Sequence, residues 1–381
     1  MMFSLLEGDP KLGLAASNGI RWNNSRKFTL RHLRDLGMGK SKIVSAVQHE
    51  ASEIVKVMKN QAGSPAPLPQ ALKPAVINIL WQMVASMNLI IKKFLDIDNM
   101  IHKIHKNAAF LMIETFFPWV KTILPESLFN FIIRKHIFNE ASSALEAKLK
   151  KIVKEHIKNL DENNPRDYID DYLIEEKKHR DNPDSTMSIR DLVVCIADLF
   201  SAGLETTTTM IYWAVFYLAS FPEVQKKLHD EIDKALPKGI LVTMEDKKRN
   251  IVLYRVNAID FKFRHSIVFI FYDAIVGMMA GSVHFDSKYF EFPKEFRPER
   301  FINAEGKFES PKECLMPFGI GKRQCLGESL ARMELFIFLT TMLQELQFSV
   351  PPNQTIDLTP NPVPAFHPPK FDQNILITIR K

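Results

Sequence analysis

Three cysteines are the side chains in this sequence best suited to holding a metal, and Cys325 has the setting for it. Cys195, Cys314 and Cys325 are too few for a disulfide framework in 381 residues. They fit a reducing compartment, where a thiolate remains available to a metal. Cys325 lies in Pro317-Phe-Gly-Ile-Gly-Lys-Arg-Gln-Cys-Leu-Gly-Glu328 and is expected to open a helix that runs to Leu346. At such a position the positive end of the helix dipole and the unused N–H groups favour thiolate over thiol. Gly321 permits a tight turn ahead of the cysteine. Arg323 adds a guanidinium matched to a carboxylate. Cys195, within an apolar helix, and Cys314, isolated in a loop, read as structural thiols.

This segment resembles the heme-binding signature of the cytochrome P450 family, Phe-x-x-Gly-x-Arg-x-Cys-x-Gly. Every fixed position is filled, by Phe318, Gly321, Arg323, Cys325 and Gly327. The resemblance implies heme b with the Cys325 thiolate as axial iron ligand, which pushes electron density toward O–O cleavage. By the same resemblance Gly327 lets the chain approach the flat macrocycle, Arg323 meets a propionate and Phe318 shields the sulfur from water.

Other elements follow in the family's order. Ala202-Gly203-Leu204-Glu205-Thr206 matches its Ala-Gly-x-Asp/Glu-Thr motif. The likeness implies a bulge at Ala202 and Gly203 that leaves room for dioxygen. It gives Thr206 a hydrogen bond to the oxygen being activated, and Glu205 a place in proton delivery. Trp22-Asn-Asn-Ser-Arg26 matches a Trp-x-x-x-Arg helix, whose i and i+4 side chains share one face and can address one propionate. Phe296-Arg-Pro-Glu-Arg-Phe301 matches an element whose arginine, here Arg300, joins an ion-pair network. With Leu33–Lys40, these elements look most like the microsomal drug- and steroid-oxidising branch. Resemblance further suggests Leu199, Phe200, Ala202 and Phe366 as pocket residues.

Helices must position these groups. Apolar spacing predicts helices over Lys40–Met58, Leu72–Met87, Leu89–Met112, Ala141–Asn159 and Pro222–Leu236, with short helical turns in the aromatic stretch Phe116–Phe131. Ser188–Phe221 is expected to be a helix of over thirty residues, capped by Ser188 and ended by Phe221-Pro222. It is apolar nearly all round, as befits a helix crossing the middle of a domain. Strand signals are confined to the C-terminal end, chiefly Gln373–Ile379. The fold class is mainly α with a minor β part, the cytochrome P450 fold by resemblance, lacking the N-terminal helices and strands. The whole chain, 1–381, reads as a single heme-thiolate domain, incomplete at its N-terminus and around 251–281.

That second gap matters. Between Leu236 and Phe296 the family's Glu-x-x-Arg helix is damaged: Arg264 fills the arginine place, but Phe261 stands where the glutamate belongs. Ile267–Ala280 replaces the sheet segment that should follow, as intron read-through or an error in the gene model would leave it. Arg264 and Arg300 would then lack their carboxylate. Breaking a buried pair costs about 3–5 kcal/mol against a total stability of roughly 5–15 kcal/mol, so the isolated chain is expected to hold heme poorly.

Composition sets the outer limits. Hydrophobic content of 46% with 25% charge describes a globular chain, which sets wholesale disorder aside. The net charge of +6 is spread among interleaved acids and bases, as in Glu146–Lys158, which argues against a nucleic-acid partner. Arg26, Lys27, Arg31 and Arg34 form a basic cluster suited to an acidic protein partner. No signal peptide is visible at Met1. The apolar run Ile267–Val283 carries Asp273 at mid-span and reads as buried rather than membrane-spanning.

The family implies a monooxygenase acting on a lipophilic small molecule, with electrons from NADPH through NADPH-cytochrome P450 reductase. It places such enzymes at the cytoplasmic face of the endoplasmic reticulum membrane, and Phe116–Leu128 is a stretch that could meet a membrane surface. Two other readings compete: a truncated, inactive heme-binding remnant, and a heme-thiolate enzyme that rearranges peroxides without a reductase. The Glu205-Thr206 pair speaks against the latter, which needs no proton delivery.

Overall fold

The computed structural model describes residues 12–37, 41–86, 96–104, 117, 119–182, 184–237, 239–246, 266–271, 274–304, 309, 314–361 and 368–380. The described chain is mainly α-helical, as expected. In order it forms α1 (Gly19–Asp35), α2 (Ser41–Asn60), α3 (Leu72–Ala85), α4 (96–104), α5 (Val120–Ile123), α6 (Glu126–Ile132) and α7 (Lys135–Lys158). There follow α8 (Tyr168–His179), α9 (Ile189–Ser220), α10 (Pro222–Ala235), β1 (Ser266–Phe271), β2 (Ala274–Met279) and α11 (Ala280–His284). A 3-10 turn (Pro298–Phe301), α12 (Glu328–Glu345), β3 (Leu346–Ser349) and β4 (Leu376–Ile379) complete it. The chain divides into two compact units, Met1–Met38 with Ile77–Leu204, and Gly39–Val76 with Glu205–Lys381.

In the first unit α9 is the organising element. Ser188 caps it as expected, its hydroxyl accepting the Asp191 N–H at 3.0 Å. Leu192 to Ala197 are all buried, so this part of α9 has no solvent face. Two carboxylates nevertheless lie within it. Asp191, in the first turn, accepts the Gly13 N–H at 2.9 Å and hydroxyls of Tyr172 at 3.0 Å and Ser25 at 3.2 Å. Asp198 accepts the Leu14 and Ala15 N–H groups at 2.7 and 3.0 Å. Residues 13–15 are thereby strapped to α9. Around this strap α1 packs on α8: Thr29 bonds the Tyr168 hydroxyl at 3.0 Å, and Phe28 meets Tyr168 and Tyr172 edge-on. Trp81 of α3 meets Phe200 edge-on at 5.1 Å. Alone among the described helices, α9 is long and apolar enough to cross a membrane, but 72% of its apolar window is buried in the protein. It is a core helix.

In the second unit α12 is buried on all sides from Met333 to Leu343 apart from Thr341, and it packs on α2 and α10. The strands β3 and β4 pair antiparallel, with Leu346 opposite Ile379. Gln225 of α10 locks onto β3: its amide donates to the carbonyls of Phe348 and Leu218, and its carbonyl accepts the Phe348 N–H at 2.8 Å. Asp233 and Arg380 pair at 2.7 Å, as do Lys59 and Glu345.

Three expectations need correction. Strand structure is not confined to the C-terminal end, because Ile267–Val283 contributes the antiparallel pair β1–β2, in register from Ser266↔Met279 to Phe271↔Ala274, and then α11. A short apolar run fits a strand or a buried helix equally by periodicity, and here β-branched Ile and Val favour the extended form. Helix α12 starts at Glu328, not at Cys325, because Gly327 takes the N-cap position. Helix α9 runs without a bulge through Ala202 and Gly203. The predicted helix Leu89–Met112 is described at 96–104 only, and Phe261, Arg264 and Phe366 lie outside the described residues.

Candidate heme-thiolate site

Cys325 ends a loop held by its own backbone. The Cys325 N–H donates to the Phe318 carbonyl at 2.8 Å, Gly319 N–H to Met316 at 3.1 Å and Gln324 N–H to Gly321 at 3.1 Å. Gly319 and Gly321 take φ of 71° and 77°, the left-handed region that a side chain resists. The loop is also clipped to α12. Glu328, in the first turn, accepts Gln324 Nε2 at 2.8 Å through one oxygen and Arg332 Nε at 2.9 Å through the other. The Arg332 guanidinium stands 4.8 Å above the Phe318 ring. At the other end the Met316 N–H donates to Nε2 of His284, a buried residue at the end of α11.

The result is an exposed thiol three residues ahead of a buried helix. Cys195 is fully buried, and burial, followed by the charge of Asp191, pushes its thiol well above the ordinary range, so it stays protonated. Cys314 is half-buried. A Cβ added at Gly321 or Gly327 would meet nothing within 4 Å, so both glycines border open space. An exposed thiol with a half-buried Arg323 two residues before it fits the donor set of heme, a sulfur for iron and a guanidinium for a propionate.

The remaining predicted residues are placed as follows. Trp22 and Arg26, half-buried on α1 in the first unit, share one face with the guanidinium 5.6 Å from the ring centroid. Ala202 is an exposed small residue in the middle of a helix that is otherwise largely buried, and Glu205 and Thr206 are half-buried one turn on. Gly203 serves packing: a Cβ there would stand 2.7 Å from Leu80 Cδ2 of α3. Leu199 and Phe200 are buried. Arg300, expected to lack its carboxylate, is held by carbonyls. Its guanidinium donates to Phe292 at 3.0 Å, Glu295 at 2.9 Å, Arg297 at 3.1 Å and Glu291.

Sequence reasoning missed four groups. His284 anchors the loop, Glu328 clips it, and Asp198 and Glu334 are buried acids within the helices bearing the motifs. Only Glu328, four residues from both Gln324 and Arg332, left a spacing signal.

The sequence model of the Cytochrome P450 family matches residues 2–253 and 249–374 of this chain. Cytochrome P450 2L1 of Panulirus argus is 36% identical over 94% of this chain and 77% of its own length. Cytochrome P450 2C6 of Rattus norvegicus is 36% identical over 92% and 74%, and cytochrome P450 2C28 of Mesocricetus auratus 35% over 92% and 74%. With these matches and the Cys325 loop together, the chain belongs to the cytochrome P450 family of heme-thiolate monooxygenases.

Proposed function

We propose that residues 1–381 form one heme-thiolate domain that oxygenates a lipophilic small molecule with electrons from NADPH, passed on by NADPH-cytochrome P450 reductase. The observation that carries this reading is the exposed Cys325 thiol on a loop whose backbone is already closed. Cys325 would hold the iron, and Arg323, Trp22 and Arg26 the propionates. Heme bound there supplies dioxygen binding and the redox chemistry that puts one oxygen atom into substrate and releases the other as water. Phe318, under the Arg332 guanidinium, keeps water from the sulfur side. With heme bound, Glu205 would take up and pass protons, and Thr206 would supply a hydroxyl for hydrogen bonding in the same chemistry.

Lys27, Arg31 and Arg34 are exposed along α1 and suit an acidic reductase surface. Exposed Phe117, Trp119, Ile123, Leu128 and Phe131 on and beside α5 and α6 supply apolar and aromatic contacts suited to a bilayer surface. They support attachment at the endoplasmic reticulum membrane, which the microsomal family likeness suggests.

A second reading, an inactive remnant, draws support from the family match, which falls into two segments meeting at 249–253. The reduced carbon-monoxide difference spectrum of the purified chain separates the two, with Cys325→Ala as control. A far red-shifted Soret band that is lost in the control would support the monooxygenase, even at the low heme content expected when the Glu-x-x-Arg carboxylate is missing. No band, or only that of free heme, would establish the remnant. NADPH-independent turnover of peroxides would instead favour the rearranging enzyme.

A further inference from the structure

Asp191, in the first turn of α9, is wholly buried, and its carboxylate accepts from four places in the first unit. Its Oδ1 takes the Gly13 N–H at 2.9 Å. Its Oδ2 takes the hydroxyls of Tyr172 at 3.0 Å and Ser25 at 3.2 Å, and the Cys195 thiol donates from 3.7 Å. Of these donors Ser25 is the one on α1, the helix that bears Trp22 and Arg26. Helix α1 needs such a partner. Its buried stripe is Ser25, Thr29 and Leu33, and two of the three are hydroxyls. A hydroxyl buried without a hydrogen bond is costly, so each must be satisfied. Thr29 is satisfied by the Ser25 carbonyl at 2.7 Å and the Tyr168 hydroxyl at 3.0 Å. Ser25 turns to Asp191. Nearer the solvent Arg21 and Asn24 reach Thr186 at 2.9 and 3.2 Å, so the Ser25 bond is the buried tie between α1 and the start of α9.

We propose that Asp191 is a positioning residue for the propionate pair: by gripping the Ser25 hydroxyl it sets the rotation of α1, and with it the direction in which Trp22 and Arg26 project. This rests on the role given to that pair above. At about 100° per residue, Arg26 stands about 100° and Trp22 about 60° round the helix from Ser25, both to the same side. Holding Ser25 therefore aims both. The two turn as one face, since the Arg26 guanidinium already lies 5.6 Å from the centroid of the Trp22 ring. A buried stripe with a single leucine gives little such control, because apolar burial is non-directional and a hydrogen bond is not. The grip also has a firm base. Gly13 holds Oδ1 through its backbone N–H and Tyr172 shares Oδ2, so the carboxylate is fixed from two sides apart from Ser25.

The test compares Ser25→Ala with Tyr172→Phe in the full chain, because each removes one hydroxyl from the same Asp191 oxygen. The chain is labelled with 5-fluorotryptophan, and Trp22→Phe identifies the Trp22 fluorine resonance. Without heme, that resonance should move in Ser25→Ala and stay in place in Tyr172→Phe, while that of Trp213 in the second unit stays in both. In an Asp191→Ala background, Ser25→Ala should move it little further, as expected for two residues acting through one bond. After heme loading, Ser25→Ala should raise the heme dissociation constant about two- to tenfold, the span of one net hydrogen bond. It should also shift the propionate-bending band in the resonance Raman spectrum, and Tyr172→Phe should do neither. The proposal is overturned if the Trp22 resonance ignores Ser25→Ala, if Tyr172→Phe moves it as far, or if Ser25→Ala acts equally without Asp191. A propionate band in the loaded chain that ignores Ser25→Ala would overturn it as well. Should Asp191→Ala not fold, the Ser25 and Tyr172 variants decide. Should the native chain take up no heme, the monooxygenase reading fails, while the fluorine spectra still decide whether Asp191 sets the face of Trp22.

Discussion

The N–H of Cys325 donates to the carbonyl of Phe318 across 2.8 Å, closing the loop through backbone atoms alone. The chain path thus helps to set the position of the sulfur, on a cysteine that is exposed. Two side chains secure that path at its ends, His284 at Met316 and Glu328 at Gln324. A ligand site of this kind exists before the ligand arrives, so binding need not meet the entropy of ordering the loop.

Truncating the cysteine and truncating its support should therefore act differently. Cys325→Ala removes an exposed side chain and leaves the backbone bonds of the loop in place, so chemical denaturation of the heme-free chain should change by less than about 0.5 kcal/mol. His284→Ala strips a buried partner from the Met316 N–H and should cost about 1–3 kcal/mol. It should also weaken heme uptake although Cys325 is unchanged. Equal effects of the two variants on heme-free stability would contradict the backbone-closed loop.

Gly327 offers a test of the open space beside the thiol. It has an ordinary φ of −92°, and an added Cβ would touch nothing. Gly327→Val should thus cost the heme-free chain no more than about 1 kcal/mol through the weaker N-cap. If that space receives the macrocycle, heme titration should show a much larger loss. Heme uptake equal to the native chain would mean that the space serves something else.

Much of this arrangement was legible in the residues, for identifiable reasons. The Cys325 loop and the Ser188 cap are local, and their residue types are tied to particular backbone conformations. Three things were not legible. The start of α12 depends on Gly327, which a sequence reader assigns to the helix as readily as to its cap. The strands β1 and β2 come from an apolar run that fits two periodicities. The buried acids Asp191, Asp198 and Glu334 sit in helices that read as apolar, and their partners are remote: Asp198 takes N–H groups some 180 residues away, from Leu14 and Ala15. The carbonyls that hold Arg300 where a carboxylate is missing left no sequence signal, because any residue's backbone can supply them.

That arginine leads to a third expectation. Arg300 reaches carbonyls of Glu291, Phe292, Glu295 and Arg297 with a planar fork that lysine lacks. Arg300→Lys keeps the charge, yet it should destabilise the protein by about 1–3 kcal/mol in chemical denaturation. A variant as stable as the native protein would show that charge alone suffices at this site.

Gly13 should tolerate no side chain. Its φ is +79°, and a Cβ would lie 2.5 Å from both Asp198 Oδ2 and Val194 Cγ1. Left-handed strain adds about 1–2 kcal/mol and overpacking about 1–3 kcal/mol. Gly13→Ala should therefore lower stability by roughly 2–5 kcal/mol in total. It should also speed amide exchange at Leu14 and Ala15, whose N–H groups bond Asp198. Unchanged exchange there would argue that the strap survives the substitution.

Asp198 itself makes stability depend on pH. Burial lifts its pKa from 3.8 to about 7, although the Leu14 and Ala15 N–H groups favour the charged form, and its Oδ1 is buried without a hydrogen bond. Between those two values the unfolded chain has released a proton that the folded protein still holds. The unfolded state then binds fewer protons, so this group's contribution to stability falls as pH rises through the window and is level on either side. Over its full extent the loss is on the order of 4 kcal/mol, at 1.36 kcal/mol for each pKa unit. Asp198→Asn cannot ionise and keeps an oxygen for the two N–H groups. Denaturation of both proteins below, within and above the window should show the variant gaining on the native protein as pH rises. Glu334 shifts in the same direction, but it is present in both proteins and cancels from the difference. A difference that stays constant with pH would mean that Asp198 keeps an ordinary carboxylate pKa in the folded chain, and that residues 13–15 are held by a charged strap.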